Sequence, residues 1–130
     1  ACDFLVRTLR RKSLVFMISD FFSDPLDRPI GKLARKHETV ALRVMDQLES
    51  ILPKAGRVVM IDPETGFETK VNTNNANLRM GYSKLMARQQ EGVSAIFRKH
   101  GIDSADLTTH GDTLAALHRL LKRRSRKRSR

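Results

Sequence analysis

The stretch that decides the fold is Leu14-Val15-Phe16-Met17-Ile18-Ser19-Asp20-Phe21, in which five consecutive apolar residues run into a Ser-Asp pair. An uninterrupted apolar run with polar ends is typical of a strand buried on both faces, as in a parallel sheet covered by helices. Ligands of such sheets bind at the carboxyl ends of the strands. Ser19 and Asp20 are therefore candidate ligands for a metal ion or a phosphate. The alternative is that Asp20 only caps the following turn, and spacing alone favours that alternative.

A second apolar run, residues 39–45, follows a short amphipathic helix predicted over residues 30–37. Two strands joined by one helix form a βαβ unit, which predicts that residues 14–18 and 39–45 belong to one parallel sheet. Another helix is predicted over residues 3–11. Residues 23–29 are predicted to form a loop, because Ser, Asp and Pro are concentrated there.

The middle of the chain has a different pattern. Two short β-rich runs and a Pro-Gly turn predict an antiparallel hairpin over about residues 57–71, inserted on the parallel core. A long helix is predicted over residues 76–100, with Gly101 suited to the position just after its end. A short strand is predicted around residues 106–109, and a final amphipathic helix begins at Asp112 or Thr113.

Composition places the chain among globular proteins. Its 130 residues are one domain's length, and 40% of them are hydrophobic. No apolar run approaches the roughly 20 residues that a membrane span needs. The single cysteine, Cys2, excludes an internal disulfide and a multi-cysteine metal site and suits a reducing compartment. We expect a piece of a longer protein in the cytoplasm, whose anchor, if it has one, lies outside this sequence.

The net charge of +11 is concentrated at the carboxyl end, where residues 122–130 carry seven positive charges and leave +4 for the other 121 residues. Such a run is predicted to be disordered, which gives a domain over residues 1–121 and a basic tail over residues 122–130. The tail could bind nucleic acid or an anionic surface. Its cations are Lys122, Arg123, Arg124, Arg126, Lys127, Arg128 and Arg130.

Other polar residues fit structural roles better than catalytic ones. The histidines His37, His100, His110 and His118 lack the close spacing of metal ligands. Asp46 and Glu49 could form an acid pair, but no nucleophile accompanies them, and stabilisation of a loop is the favoured interpretation. Asp62 and Glu64 are expected to form a turn. Cys2 has no paired histidine motif, so nucleophilic catalysis is not expected.

Several separated blocks of sequence occur in a familiar order. They are Ser13 to Phe21 (SLV-x-x-ISDF), residues 33–49, Leu52-Pro53-x-x-Gly56, residues 62–66, Tyr82, Gly101-Ile102-Asp103, and residues 117–124. Together they resemble the bacterial domain-of-unknown-function family fifty-eight over nearly the whole chain. Members of that family are similar to von Willebrand factor A domains and commonly accompany MoxR-type AAA+ ATPases.

The resemblance implies an α/β fold, namely the carboxyl-terminal part of a von Willebrand factor A-like, Rossmann-like three-layer domain with a mostly parallel sheet and an added hairpin. It also implies a metal-ion-dependent adhesion site, built from an Asp-x-Ser-x-Ser loop, a Thr from a second loop and an Asp from a third. Only the third element has a counterpart here, Asp20 with Ser19 beside it. The site is therefore expected to be incomplete, with no cofactor bound to this chain and Mg²⁺ bound only in a full-length protein.

The expected function is that of a non-enzymatic interaction or adaptor module, which works with a MoxR-type ATPase on protein clients. The missing amino-terminal half of the domain is an expected partner, and in its absence the exposed sheet edge predicts dimerisation or aggregation. Nucleic acid is not an expected partner under this first hypothesis. The alternative is binding of nucleic acid or an anionic surface through the basic tail, and a hydrolase based on Asp46 and Glu49 ranks last.

Overall fold

The computed structural model describes residues 1–22, 25–62 and 65–128. The chain divides into two compact units, unit 1 (Ala1–Asp46 and Gln89–Arg130) and unit 2 (Gln47–Arg88). In chain order the elements are α1 (Cys2–Thr8), β1 (Leu14–Ser19), α2 (Asp27–Lys36), β2 (Glu38–Met45), a 3₁₀ turn (Gln47–Ser50), β3 (Arg57–Ile61), β4 (Glu68–Asn72), α3 (Ala76–Lys99), β5 (Asp103–Thr108) and α4 (Thr113–Arg128).

Unit 1 is built on a three-stranded parallel sheet. Its strand order is β1-β2-β5, with Phe16 opposite Val40 and Arg43 opposite Asp106. The βαβ unit predicted from the apolar runs is therefore confirmed. The third strand begins at Asp103, three residues before the predicted start, because its first residues are polar and give little apolar signal.

Helices cover both faces of this sheet, since successive side chains of a strand point to opposite faces. On one face, Val15 packs in a cluster with Leu33 of α2 and Cys2 of α1. On the other face, Val40 and Leu42 pack with Leu120 of α4. Unit 1 is thus a three-layer α/β arrangement, as the sequence predicted at the level of fold class.

Strand β1 departs from the prediction of burial on both faces. Val15 is 8% exposed, but Leu14 is 46%, Phe16 48% and Ile18 66% exposed. The reason is that β1 pairs only with β2 within the described residues, and α4 packs over β2 and β5. An apolar run does not report whether a neighbouring element covers its second face.

Helix α3 ends at Lys99, one residue before the predicted end, and Gly101 follows it with a φ of +64°, a conformation that glycine adopts without steric cost. The amide of Ile102 donates to the carbonyl of Phe97 over 2.9 Å, and the amide of Gly101 donates to the carbonyl of Arg98 over 3.1 Å. This pair of bonds is a Schellman motif, and Ile102 and Phe97 also pack in one core cluster. The motif redirects the chain from α3 into β5.

Helix α4 continues to Arg128, whereas residues 122–130 were predicted to be a disordered tail. Acidic partners account for the difference. Arg124 is buried and binds both Glu38 and Asp103, and Lys127 binds Asp103 over 2.7 Å. These acids offset the charge repulsion along the helix. They lie far from residues 122–130 in sequence, so the charge pattern of the tail alone could not predict the contacts.

Unit 2 contains the predicted hairpin, in which β3 and β4 pair antiparallel with Val58 opposite Val71. The hydroxyl of the buried Thr73 donates to the carbonyl of Gly56 and accepts from the amide of Ala55, both over 2.8 Å, which closes the base of the hairpin. The predicted turn at the other end lies partly outside the described residues, at positions 63 and 64. At its edge, the Asp62 carboxylate accepts from the amide of Thr65 over 3.2 Å.

Candidate functional site

Ser19 and Asp20 lie where they were predicted, at the carboxyl end of β1, and both are exposed. The Ser19 hydroxyl accepts from the amide of Phe21 over 3.1 Å and donates to Asp20 Oδ1 over 3.3 Å. Asp20 Oδ1 also accepts from the amide of Phe22 over 3.2 Å. The turn therefore engages Oδ1 and presents the other carboxylate oxygen to solvent. Asp20 therefore caps its turn through Oδ1, and its second carboxylate oxygen remains a candidate ligand for a metal ion or a phosphate.

Phe21 gives this turn its shape. It has φ = +60°, which is uncommon for a residue with a bulky side chain, yet it is 3% exposed. Its ring packs edge-on against Phe97 with a centroid separation of 5.0 Å. Burial of the ring thus holds a strained backbone at the residue after Asp20. Sequence reasoning missed this feature, because an aromatic residue gives no local signal for positive φ.

The ends of the other two parallel strands also carry oxygen-bearing side chains at the same edge of the sheet. Asp46 follows β2 and Thr109 follows β5. The Thr109 hydroxyl donates to Asp46 Oδ1 over 3.3 Å, and its amide donates to the carbonyl of Met45 over 3.2 Å. This contact fits the stabilising role favoured for Asp46. Glu49 lies in unit 2, where its carbonyl accepts from the Tyr82 hydroxyl.

Ser19 and Asp20 do not by themselves fit a magnesium ion. Mg²⁺ needs near-octahedral oxygen coordination, and here one hydroxyl and one carboxylate oxygen are already engaged in the turn. Across the described part of the chain, no group of three or more His, Cys, Asp or Glu side chains is placed to hold a metal ion. Further oxygens would have to come from elsewhere.

The histidines do not come together as one site. His37 is buried, and its Nδ1 accepts from the amide of Ser13 over 3.3 Å. His100 lies 2.7 Å from Asp27 through Nε2, in unit 1, while His110 and His118 are at other positions. Lys99 and then His100 hold the pKa of the Asp27 carboxyl below its usual range through hydrogen bonds.

Cys2 is buried among apolar side chains of α1, β1 and α2. Burial is the main reason that the pKa of its thiol is raised. A thiol with a raised pKa is a poor nucleophile at neutral pH, because the thiolate is the reactive form. In this structure Cys2 contributes to the packing of α1 against β1 and α2.

The basic residues near the carboxyl end fall into two groups. Arg124 and Lys127 bind acids of the sheet, whereas Lys122, Arg123 and Arg126 are exposed on α4. Arg128 is the last residue of α4, and Arg130 lies outside the described residues.

Sequence reasoning missed the ion pair at the centre of the sheet. Arg43 Nε and one terminal nitrogen bind the two carboxylate oxygens of Asp106, each over 2.8 Å, and the other terminal nitrogen donates to the carbonyl of Gln90. The signal was present, since Arg43 is the only cation of β2 and lies between the apolar residues Leu42 and Val44. Its partner could be found only from the register of β2 and β5.

No helix within the described residues is long and apolar enough to cross a membrane.

The fold and this sheet edge define the chain as an α/β protein with polar residues at the carboxyl ends of three parallel strands. Residues 1–92 match the family described as "Protein of unknown function DUF58". The chain is 37% identical over 128 residues to an uncharacterised protein of Mycobacterium avium, covering 97% of this chain and 75% of that relative. These matches show that the chain belongs to the DUF58 family.

Longer relatives contain the same region. Uncharacterised proteins of Mycobacterium bovis and Mycobacterium tuberculosis are 33% identical to this chain over 128 residues, and the chain spans 40% of their length. No solved structure matches the chain at a significant level.

Proposed function

We propose that this chain is a non-enzymatic protein-interaction module, the carboxyl-terminal part of a von Willebrand factor A-like domain that works with a MoxR-type AAA+ ATPase on protein clients. One observation carries the proposal. Among the described residues, the edge strand β1 combines an unpaired backbone edge, an exposed apolar face and the polar Ser19–Asp20 turn.

The exposed face of β1 supports an interaction role because it is costly to leave in water. Phe16 and Ile18 keep 48% and 66% of their surface exposed, on the face opposite Val15. Full burial of one such side chain contributes about 1.5–3 kcal/mol. An open edge strand with exposed apolar residues also offers backbone groups for pairing with another strand. The occupant that we propose for this exposed face is the MoxR-type ATPase.

The Ser19–Asp20 turn supports placing the functional edge at the end of β1. Phe21 fixes the direction of the turn, and one Asp20 oxygen faces solvent. Because the two side chains do not complete a Mg²⁺ site, the proposal rests on the sheet edge and assigns the ion no step. In a full-length protein, Asp20 is the residue that we would expect to join such a site.

The lack of enzymatic activity is part of the proposal. Asp46 is bonded to Thr109, and Cys2 is buried with a raised pKa, so neither resembles an activated catalytic group. The surroundings of Asp46 and Cys2 therefore suit structural roles better than catalytic ones.

The experiment is binding of the intact protein to a purified mycobacterial MoxR-type ATPase, measured by calorimetry. The Phe16→Lys/Ile18→Lys variant should lose binding, because two charges on the β1 face prevent another element from covering it. The Val59→Lys/Ile61→Lys variant is the matched control, since Val59 and Ile61 of unit 2 are 49% and 61% exposed. It should bind like the unsubstituted protein, with circular dichroism reporting the fold of both variants.

Two results would overturn the proposal. Equal binding by both variants would show that the β1 face has no part in the interaction. Failure of the unsubstituted protein to bind would refute the proposal that a MoxR-type ATPase is its partner.

A further inference from the structure

Helix α4 carries seven Lys and Arg residues and no Asp or Glu between Thr113 and Arg128. The structure divides these cations by role. Arg124 and Lys127 bind Glu38 and Asp103, and these contacts attach the helix to the sheet.

Three of the other cations on α4 point to solvent. Arg119, Lys122 and Arg126 are exposed and belong to none of the ion pairs found among the described residues. With 3.6 residues per turn, Lys122 and Arg126 lie on the side of α4 opposite the buried Leu120 and Arg124, and Arg119 lies beside them. We call these three residues the outer face of α4. They extend over roughly 10 Å of the helix, at 1.5 Å per residue.

A groove next to the outer face adds to this positive surface. Arg119 and Arg123 line an open cavity of about 400 Å³ along the free edge of β5 within the described sheet. Arg123 donates to the carbonyl of Ser104, which holds its guanidinium against that edge. Asp106 also lines the cavity, but its charge is balanced by Arg43. Among the residues that line it, the groove therefore presents two arginines and one acid that is already compensated.

We propose that the outer face of α4 binds the phosphate backbone of nucleic acid without sequence preference. Clustered Lys and Arg side chains bind phosphates mainly through charge and the release of counterions. Contacts of these three side chains with phosphates carry no sequence information, so affinity without sequence selection is expected.

An anionic membrane fits this surface less well. Among the leucines of α4, Leu117 and Leu120 pack in the core cluster with Val40 and Leu42, whereas Leu114 and Leu121 are exposed. A helix that binds at a membrane surface buries its apolar face in the lipid. On α4 most of that face is covered by the sheet, which suits a partner that lies entirely in water.

The test is fluorescence anisotropy with a labelled duplex of random sequence, about 20 base pairs long, from about 50 to about 200 mM salt. The unsubstituted chain should bind, with an affinity that falls as salt rises and a log–log slope of roughly −3. Arg119→Gln/Lys122→Gln/Arg126→Gln should lower affinity at the low-salt end by at least about tenfold and flatten the slope by about one unit per residue.

The matched control removes the same charge elsewhere. Lys54→Gln/Lys70→Gln/Lys84→Gln changes three lysines of unit 2 and should reduce affinity by less than about twofold if the site is local. Circular dichroism should show that both variants keep their helix content. Equal losses in the two variants would overturn the proposal in favour of a net-charge effect. Absence of duplex binding, or binding only to phosphatidylserine vesicles, would overturn it as well.

Discussion

The guanidinium of Arg43 and the carboxylate of Asp106 form a two-bond ion pair between neighbouring strands β2 and β5, and their exposures differ sharply. The Arg43 side chain is 7% exposed, whereas that of Asp106 is 47% exposed. The pair is therefore asymmetric, because only the carboxylate can be solvated if its partner is removed. A buried charge left alone costs far more than an exposed one.

This asymmetry predicts that the two halves of the pair are not equivalent. Asp106→Ala should lower the free energy of unfolding by about 3 kcal/mol, because it leaves the Arg43 charge buried. Arg43→Met should cost less, since water can solvate Asp106 and the methionine side chain fills similar space. Urea unfolding of the two variants measures the difference. A larger loss for Arg43→Met would contradict the argument.

Gly31 lies in α2 against the ring of His100. A Cβ at this position would come within 2.5 Å of His100 Cε1, so the ring must move away from Asp27. Gly31→Ala should therefore destabilise the protein by about 1–3 kcal/mol, despite the better helix propensity of alanine. Thermal unfolding measures the effect, and His100→Ala in the same chain should remove most of it.

Gly81 is the matched control for this substitution, because a Cβ built there meets none of the described atoms within 4 Å beyond its own helix backbone. Gly81→Ala should stabilise the protein by about 0.5–1 kcal/mol. Loss of stability in both variants would show that the contact with His100 is not the cause.

Asp27 should give the protein an acid-sensitive contribution to stability. Hydrogen bonds from Lys99 and then from His100 lower the pKa of this carboxyl in the folded state. Its contribution is therefore present above the unfolded pKa of about 3.9 and is lost as pH falls through the lower folded value. Asp27→Asn should reduce the midpoint temperature of unfolding near neutral pH and reduce it less in acid, at about pH 2.5.

Parallel pH profiles for Asp27→Asn and the unsubstituted chain would contradict the assigned linkage.

Arg124 should be the cation on which the end of α4 depends. Arg124→Gln removes the contacts with Glu38 and Asp103, so we expect a loss of about 2–3 kcal/mol and weaker helical ellipticity. Arg126→Gln, on the outer face of the same helix, should change stability by no more than about 0.5 kcal/mol. Similar losses in both variants would show that the ion pairs do not hold the helix.

Local patterns predicted most of the secondary structure, because apolar periodicity and a helix-ending glycine are properties of short segments. They failed where distant residues decide the outcome. The helical state of residues 122–128 depends on Glu38 and Asp103, and the exposure of Phe16 depends on which elements pack beside β1.

In the candidate site, too, local sequence predicted some features, whereas contacts with distant residues determine others. The position of Asp20 followed from the end of an apolar strand, but the backbone of Phe21 is set by its packing on Phe97. Likewise, Asp106 could be assigned to Arg43 only once the register of the strands was known.

The insertion of unit 2 between β2 and β5 has a consequence for folding kinetics. Arg43 and Asp106 are 63 residues apart in sequence, so their strands can pair only after a long loop has closed. The entropy of loop closure grows only with the logarithm of loop length, about 0.6 kcal/mol for each doubling. Halving the inserted segment, Gln47–Arg88, shortens this separation by about a third and should thus accelerate formation of the β2–β5 ladder by only about twofold, which leaves this segment free to vary in length at small kinetic cost.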